Sequence, residues 1–329
     1  MNDWNHIRTK WGRSDGLSLP PFAYADVVCT PGSWNLNAMT PTRPALRWHG
    51  GKWKLAPWII SHFPPHRIYV EPFGGAASVL MRKHRAYAEV YNDLDNWAVN
   101  LFRVLRDEAL AARLVEQLKL TPFARTEFEC GRELGEAESD PVELARRLIV
   151  RSFMGFGSNA HNGRSTGFRA NSNRSGTTPA QDWGNYPDAL PALIERLRGV
   201  VIENRDATAV MMQHDGPETL HYVDPPYMAE TRSPANKYDL KYRMYRHELD
   251  DNAHAKLLDA LQELSGMVVL SGYPAPLYER ALSAWRRVEI AAHADGARPR
   301  TEVLWINPQA STAMDATTDQ GTFELRAAE

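Results

Sequence analysis

The 329-residue sequence has few cysteines, no long apolar run and almost no net charge, and each deficit excludes a class of protein. The two cysteines, Cys29 and Cys130, lie far apart and match no metal or redox spacing, so we expect a reduced, cytoplasmic protein. No segment is apolar for long enough to span a membrane, and the N-terminus lacks a signal-peptide core. The formal net charge of −2 predicts no general attraction to nucleic acid, so contact with a polyanion would need a local basic segment.

Strand-like and helix-like patterns alternate over two stretches of the chain. In the first stretch we expect a strand over 67–71 and a helix over 76–84. A second strand ends near Asn92, and a second helix begins at about Asn96. The alternation resumes over 199–308, and because strands that alternate with helices pair in parallel, the pattern predicts an α/β fold.

A mainly helical region separates the two stretches and contains a long polar segment. Residues 155–183 are dense in Gly, Ser, Asn and Arg, and loops of this length in compact proteins are usually functional or disordered. We therefore predict one α/β domain that is interrupted by a helical insertion. The predicted boundaries are 1–40 for a loosely ordered extension, 41–109 and 199–308 for the α/β domain, 110–198 for the insertion and 309–329 for a polar tail.

A glycine pair follows the first predicted strand in the segment VEPFGGAAS. A strand followed by a tight turn allows a ligand to approach backbone amides closely in α/β proteins. A turn needed only for packing is an equally good interpretation of Gly74 and Gly75. The dinucleotide fingerprint G-x-G-x-x-G is absent, which disfavours a nicotinamide oxidoreductase.

The second predicted strand ends in the acidic turn NDLD, about twenty residues after the glycines. An acid at this position accepts hydrogen bonds from ribose hydroxyls in nucleotide-binding folds. The alternative is a helix N-cap, since Asp95 or Asn96 could cap the helix that follows. We predict the ribose contact for Asp93 and the cap for Asp95 or Asn96.

A third polar turn, Asp224-Pro225-Pro226-Tyr227, ends the predicted strand TLHYV. Two adjacent prolines cannot donate ladder hydrogen bonds, so they end the strand and stiffen the turn. Because the carboxyl ends of strands in an open sheet are where ligands gather, three such turns together indicate a site.

The motifs, taken in order, resemble those of the Dam-type DNA adenine-N6 methyltransferases, which use S-adenosylmethionine. RWHGGK at 47–52 is similar to the family's first cofactor motif, K-W-x-G-G-K, with Arg47 in place of lysine. The resemblance covers about 43–308 and implies a Rossmann-like sheet with helices on both faces and a helical target-recognition insertion. The other similar segments are EPFGGAAS at 71–78, NDLD at 92–95 and DPPY at 224–227.

The resemblance implies an S-adenosylmethionine site. Trp48 and Lys52 would lie beside the methionine end of the cofactor, and Asp93 would bind the ribose. Asp206 would contact the adenine ring, although an acid at the start of a helix is commonly an N-cap. The implied cofactor-binding residues are Trp48, Gly50, Gly51, Lys52, Glu71, Phe73, Gly74, Gly75, Asp93 and Asp206.

The DPPY residues suit methyl transfer to an exocyclic amino group. The lone pair of an adenine amino group is delocalised into the ring, which makes its nitrogen a poor nucleophile. Asp224 and the carbonyl of Pro225 can accept hydrogen bonds from the two N–H groups and free the lone pair, with Pro226 stiffening the turn. Tyr227 would stack on the base, which must flip out of the duplex. We expect no metal, since the sequence has no metal-ligand cluster.

Two basic segments could contact DNA. The first is rich in small polar residues, and the second interleaves its cations with Tyr238, Tyr242 and Tyr245, which suits phosphate contact and base stacking. The alternative for each is a solvated loop. The cations are Arg164, Arg169 and Arg174 in the first segment and Lys237, Lys241, Arg243 and Arg246 in the second.

Three other functions are open to a chain with these motifs. N4-cytosine methyltransferases more often carry Ser-Pro-Pro-Tyr, so Asp224 favours adenine. Enzymes that act on RNA or protein amides often have Asn at that position. A non-catalytic DNA-binding protein is disfavoured because every motif position keeps a chemically competent residue.

We expect a monomer that acts on double-stranded DNA without membrane association. The resemblance associates the chain with restriction-modification and leaves the recognition sequence open.

Overall fold

The computed structural model describes the predicted α/β region and part of the helical insertion. The described residues are 40–131, 140–156, 167–171, 176–231, 247–293 and 299–316. Residues 1–39 of the predicted extension lie outside them, as do six of the seven predicted DNA-contacting cations. Those six cations are Arg164, Arg174, Lys237, Lys241, Arg243 and Arg246.

Within these residues, seven strands form one sheet. The strands are β1 (Ile68–Glu71), β2 (Ala88–Asn92), β3 (Val200–Glu203), β4 (Thr219–Val223), β5 (Met267–Gly272), β6 (Arg286–His293) and β7 (Pro299–Ile306). Their order across the sheet is β3-β2-β1-β4-β5-β7-β6. Neighbours from β3 to β5 are parallel, whereas β7 is antiparallel to both β5 and β6. The sheet confirms the predicted α/β, Rossmann-like fold.

Helices of the described residues lie between the strands, and several of them fall within the predicted insertion. They are α1 (Ala56–Ile60), α2 (Asn96–Arg106), α3 (Glu108–Leu120), α4 (Arg125–Cys130), α5 (Pro141–Met154), α6 (Pro179–Gly184), α7 (Leu190–Leu197), α8 (Ala207–Gln213), α9 (Asp251–Glu263), α10 (Pro276–Ala281) and α11 (308–316). Aspartate carboxylates accept backbone N–H groups at the starts of α2, α3, α5, α8 and α9. These caps fix where the helices begin.

The core lies on both faces of the sheet because side chains alternate along β5 and β7. Val269 and Leu304 belong to one cluster of buried side chains, together with residues of α2 and α5. Leu270 and Trp305 belong to a second cluster, together with residues of α9 and α10. Helices on both faces are thereby confirmed, and α5, which lies in the predicted insertion, shares the first cluster with the sheet.

The predicted helix over 76–84 is wrong, since the chain forms a series of turns there. Ala77 has a left-handed backbone, with φ of 53°, which no residue of an α-helix adopts. The N–H of Leu80 donates to Oε2 of Glu71 at 2.9 Å, although a helix would pair it with a main-chain carbonyl. The apolar pattern that suggested a helix instead reflects burial of Val79 and Leu80 in the core.

The segment predicted as a polar tail begins as a helix over 308–316. Ala310 is fully buried, and Ala313 and Met314 pack against the first cluster. Ala313 and Met314 follow Ala310 by three and four positions, which is the spacing of one face of a helix. The polar composition of the whole segment made this pattern hard to recognise in the sequence.

Candidate active site

A cavity of about 440 Å³ opens at the carboxyl ends of β1, β2 and β4. It gathers residues of all four motifs, as expected where ligands bind a parallel sheet. Of the fourteen predicted catalytic and cofactor-binding residues, Tyr227 and Asp206 do not line it. The other twelve do: Trp48, Gly50, Gly51, Lys52, Glu71, Phe73, Gly74, Gly75, Asp93, Asp224, Pro225 and Pro226.

The glycine turn after β1 has no room for side chains. A Cβ atom on Gly74 would lie 2.2 Å from Cε2 of Tyr91, closer than any real contact. Gly75 has φ of +48°, and a Cβ there would lie 2.9 Å from Nε1 of Trp48. The Tyr91 hydroxyl donates to the Gly75 carbonyl at 2.8 Å. Two aromatic rings therefore hold the turn, and the glycines present only backbone to the cavity.

The acidic turn after β2 is hydrogen-bonded directly to the glycine turn. Oδ2 of Asp93 accepts the N–H of Gly75 at 2.7 Å, and its Oδ1 accepts the N–H of Asp95 at 2.7 Å. Burial raises the pKa of Asp93 to about 6, although these amide donors oppose the shift. Asp95 accepts the N–H of Trp97 at 2.9 Å and caps α2, as predicted.

Glu71, the last residue of β1, is a buried acid on the cavity wall. Its Oε2 accepts the Tyr69 hydroxyl at 2.7 Å and the N–H of Leu80 at 2.9 Å. Burial nevertheless raises the pKa of Glu71 to about 8, because desolvation of the charged form outweighs both donors. Near neutral pH this side chain is therefore mostly uncharged.

Asp224 begins the corner after β4 and is paired with Lys52. The Nζ atom of Lys52 lies 3.0 Å from Oδ1 of Asp224 and donates to the Gly50 carbonyl at 2.8 Å. The hydroxyl of Ser271 donates to the same Oδ1 atom at 2.7 Å. The two charged side chains are only 5% and 17% exposed, so water screens their attraction weakly.

Tyr227 lies beneath the corner, where its ring is 8% exposed. Its hydroxyl donates to Oε2 of Glu302 at 2.9 Å. Nζ of Lys52 lies 4.7 Å from the ring centroid, and the ring of Tyr273 packs edge-on at 4.5 Å. Burial raises the pKa of Glu302, and the nearby Lys52 charge opposes that shift. Lys52 is thus close to both acidic groups of the corner.

Two other predicted residues, Asp206 and Arg169, form side-chain hydrogen bonds with backbone groups. Asp206 is exposed, and its carboxylate accepts the N–H of Ala209 at 2.9 Å, so it caps α8. The next residue, Ala207, lines the cavity. Arg169 is the one predicted DNA-contacting cation among the described residues, and its guanidinium donates to the Phe153 carbonyl at 3.1 Å.

Sequence reasoning missed Ser271 and Glu302, whose side chains contact the corner. Both lie in the stretch 199–308, where alternating strands and helices were predicted, but the contacts form only through strand pairing. The available signal is a hydroxyl at the carboxyl end of the otherwise apolar strand MVVLSG. His49 and His247 also line the cavity and were not predicted.

Two other findings concern membrane-spanning helices and metal sites. Among the residues that the structure describes, no helix is long and apolar enough to cross a membrane. No group of three or more His, Cys, Asp or Glu side chains in the same ranges could hold a metal ion.

The sequence matches the family described as D12 class N6 adenine-specific DNA methyltransferase over residues 48–281. The match takes in 234 of the 329 residues and contains the glycine, acidic and DPPY turns. Glu302 lies beyond it. No curated protein matches the sequence significantly.

Proposed function

Because the chain belongs to the D12 class N6 adenine-specific DNA methyltransferase family, we propose that its methyl donor is S-adenosylmethionine. We further propose that its target is an adenine flipped out of duplex DNA at a specific sequence. The observation that carries the proposal is that the glycine turn and the Asp224 carboxylate line the same cavity.

The glycine turn and its neighbouring acids fit S-adenosylmethionine, which supplies an electrophilic methyl group on a sulfonium sulfur. Gly74 and Gly75 allow close approach to backbone because neither carries a side chain. Glu71 offers a carboxyl group to a positively charged ligand, and we assign Trp48 and Lys52 to the methionine end. We assign Asp93 to the ribose hydroxyls, since it lies at the end of the second strand of the sheet.

Asp224 is assigned the role of acceptor for the adenine amino group. Its carboxylate accepts one N–H and the carbonyl of Pro225 accepts the other, which pulls the nitrogen towards tetrahedral geometry and frees its lone pair. The Pro225-Pro226 turn and the bonds from Lys52 and Ser271 hold these acceptors in place before the base arrives. Such preorganisation lowers the barrier because no reorientation is needed during the reaction.

The target base must leave the duplex to reach this corner, at a cost of roughly a few kcal/mol in stacking and pairing. We assign base stacking to Tyr227, whose ring has to become more accessible when the base enters. Recognition of the sequence is assigned to the insertion at 110–198. Phosphate contacts are assigned to Arg169 and to the six cations outside the described residues. We propose that the enzyme works as a cytoplasmic monomer.

The test is transfer of labelled methyl from S-adenosylmethionine to unmethylated duplex DNA, followed by nucleoside analysis. Asp224→Ala is the informative variant, and Asp259→Ala, which removes an exposed carboxylate on α9, is the matched control. We expect label in N6-methyladenine for the parent protein and the control, and a loss of at least a thousandfold in Asp224→Ala. Label in N4-methylcytosine, or none on DNA despite cofactor binding, would overturn the proposal.

A further inference from the structure

The carboxylate of Asp224 is held through one of its two oxygens. Among the described residues, Ser271 donates to Oδ1 at 2.7 Å and Lys52 lies 3.0 Å from the same atom. The Tyr222 hydroxyl lies 3.2 Å from Oγ of Ser271. Tyr222 and Ser271 are each 1% exposed, and the chain of three side chains ends at Asp224 on the cavity wall.

Strand pairing places Ser271 beside Asp224. In the parallel register of β4 and β5, Val223 is opposite Leu270, so the next residue of each strand, Asp224 and Ser271, lie side by side. The four residues before Ser271 on β5 are Met267, Val268, Val269 and Leu270. The serine is thus the one polar side chain of β5, and its hydroxyl binds the Asp224 carboxylate and the Tyr222 hydroxyl.

The direction of each hydrogen bond in the chain follows from the number of protons. A serine hydroxyl has one proton, and a carboxylate has none to give. Ser271 donates its proton to Asp224, so the Tyr222 hydroxyl donates to Ser271. A hydrogen bond to an ionised group is about twice as strong as one between neutral groups. The chain fixes the torsion of the serine hydroxyl and, through it, the plane of the carboxylate.

We propose that Ser271 is a positioning residue that orients the Asp224 carboxylate for the amino group of the target adenine. Ser271 and Lys52 occupy Oδ1, so that Oδ2 is the oxygen presented to the amino group. Lys52 neutralises the Asp224 charge from a flexible side chain, which constrains the orientation of the carboxylate little. Ser271 has a short side chain on a strand, so its hydrogen bond sets that orientation. The inference rests on the proposed role of Asp224.

The variants that test it are Ser271→Ala, which removes one buried atom, and Ser271→Thr, which restores a hydroxyl. Thr219→Val is the matched control, because it removes a buried hydroxyl bond, to the His214 carbonyl at 2.8 Å, from the opposite end of β4. The measurements are the single-turnover rate of methyl transfer to unmethylated plasmid DNA, the KM for DNA, the Kd for S-adenosylmethionine and the Tm.

We expect Ser271→Ala to lower the single-turnover rate by about tenfold or more, since a misaligned acceptor costs rate rather than binding. KM and Kd stay close to the parent values, and Tm falls no further than in Thr219→Val, which also loses a buried hydroxyl bond. Ser271→Thr recovers most of the rate, and Thr219→Val keeps the parent rate. A Ser271→Ala rate within twofold of the parent, with Asp224→Ala inactive, overturns this inference alone. An active Asp224→Ala overturns the role of Asp224 and this inference with it. A fall in rate together with a higher Kd and a Tm well below that of Thr219→Val would mean that Ser271 has only a structural role, which overturns the inference.

Discussion

The glycine turn after β1 and the DPPY corner after β4 lie at the ends of adjacent parallel strands, but they are held in different ways. The glycine turn is bound by nearby groups, with Asp93 18 residues and Tyr91 16 residues from Gly75. The corner is bound by distant side chains, since Ser271 is 47 residues from Asp224 and Glu302 is 75 residues from Tyr227.

The two regions also differ in the kind of interaction that matters. At the glycine turn, shape dominates, because a single added carbon would overlap an aromatic ring. At the corner, charge and hydrogen-bond direction dominate, because the ammonium group of Lys52 lies near two acids, the partly exposed Asp224 and the buried Glu302. The glycine turn should therefore respond to changes in volume, and the corner to changes in polarity.

Among the changes that test this contrast, the largest effect is expected for Lys52→Met, which keeps the length of the side chain and removes its charge. Removing one partner of a buried ion pair costs about 3–5 kcal/mol, and we expect the lower end because Asp224 is 17% exposed. Methyl transfer should fall by at least a hundredfold, measured as a single-turnover rate, with stability measured by urea unfolding. Lys256→Met, an exposed position on α9, is the control. A Lys52→Met enzyme with parental rate and stability would show that charge does not govern the corner.

The next largest effect is expected for Gly74→Ala at the glycine turn. The new Cβ atom would meet Tyr91 at 2.2 Å, so the turn or the ring must shift, at about 1–3 kcal/mol. We expect the Kd for S-adenosylmethionine to rise more than tenfold in equilibrium binding. Gly184→Ala serves as the control because its Cβ would meet nothing within 4 Å. Equal behaviour of the two variants would contradict a steric role for the turn.

The same contrast explains what the sequence could predict. Gly74, Gly75, Asp93 and Asp95 act on groups within about twenty residues, so local motifs were sufficient to predict their turns and the α2 cap. The parallel part of the sheet, from β3 to β5, followed from alternating patterns, which are also local.

Contacts between distant segments account for what was missed. The turns over 76–84 are the exception, since the N–H of Leu80 donates to Glu71 only nine residues away, but no helix propensity encodes that bond. Ser271 reaches Asp224 only through the pairing of β4 with β5, and Glu302 reaches Tyr227 from β7. Polar residues on apolar strands indicate such contacts, but the partner emerges only from strand order and register.

Two substitutions of Glu302 should have a smaller effect on the transfer rate and should distinguish the role of its hydrogen bond from the role of its charge. Glu302→Gln keeps an oxygen acceptor for the Tyr227 hydroxyl, whereas Glu302→Leu leaves that buried hydroxyl unpaired, at about 1–3 kcal/mol. We expect the methyl-transfer rate of Glu302→Gln to differ less than threefold from the parent rate and that of Glu302→Leu to fall about tenfold. Adding Tyr227→Phe to Glu302→Leu should cost little more, since the bond is already lost. Additive losses in this double-mutant cycle would show that the bond itself is unimportant.

The smallest effect is a proton released from Glu71 when the cofactor binds. Burial raises the pKa of Glu71 to about 8, so at pH 7 the free protein holds this acid mostly protonated. A sulfonium placed nearby favours the carboxylate and lowers that pKa, so binding at pH 7 should release up to about one proton. Affinity should therefore rise as pH increases from 7 towards 8 and level off above it.

Calorimetry in buffers of different ionisation enthalpy measures this release directly. Glu71→Gln should still bind S-adenosylmethionine but release no proton in the same window. Asp93 is distinguishable because its pKa is raised only to about 6, so its contribution appears below neutral pH. Release that persists in Glu71→Gln would assign the proton to another group and remove Glu71 from the charged end of the cofactor site. Release confined to the parent protein would show that the glycine turn, otherwise governed by shape, also contains one group that responds to charge.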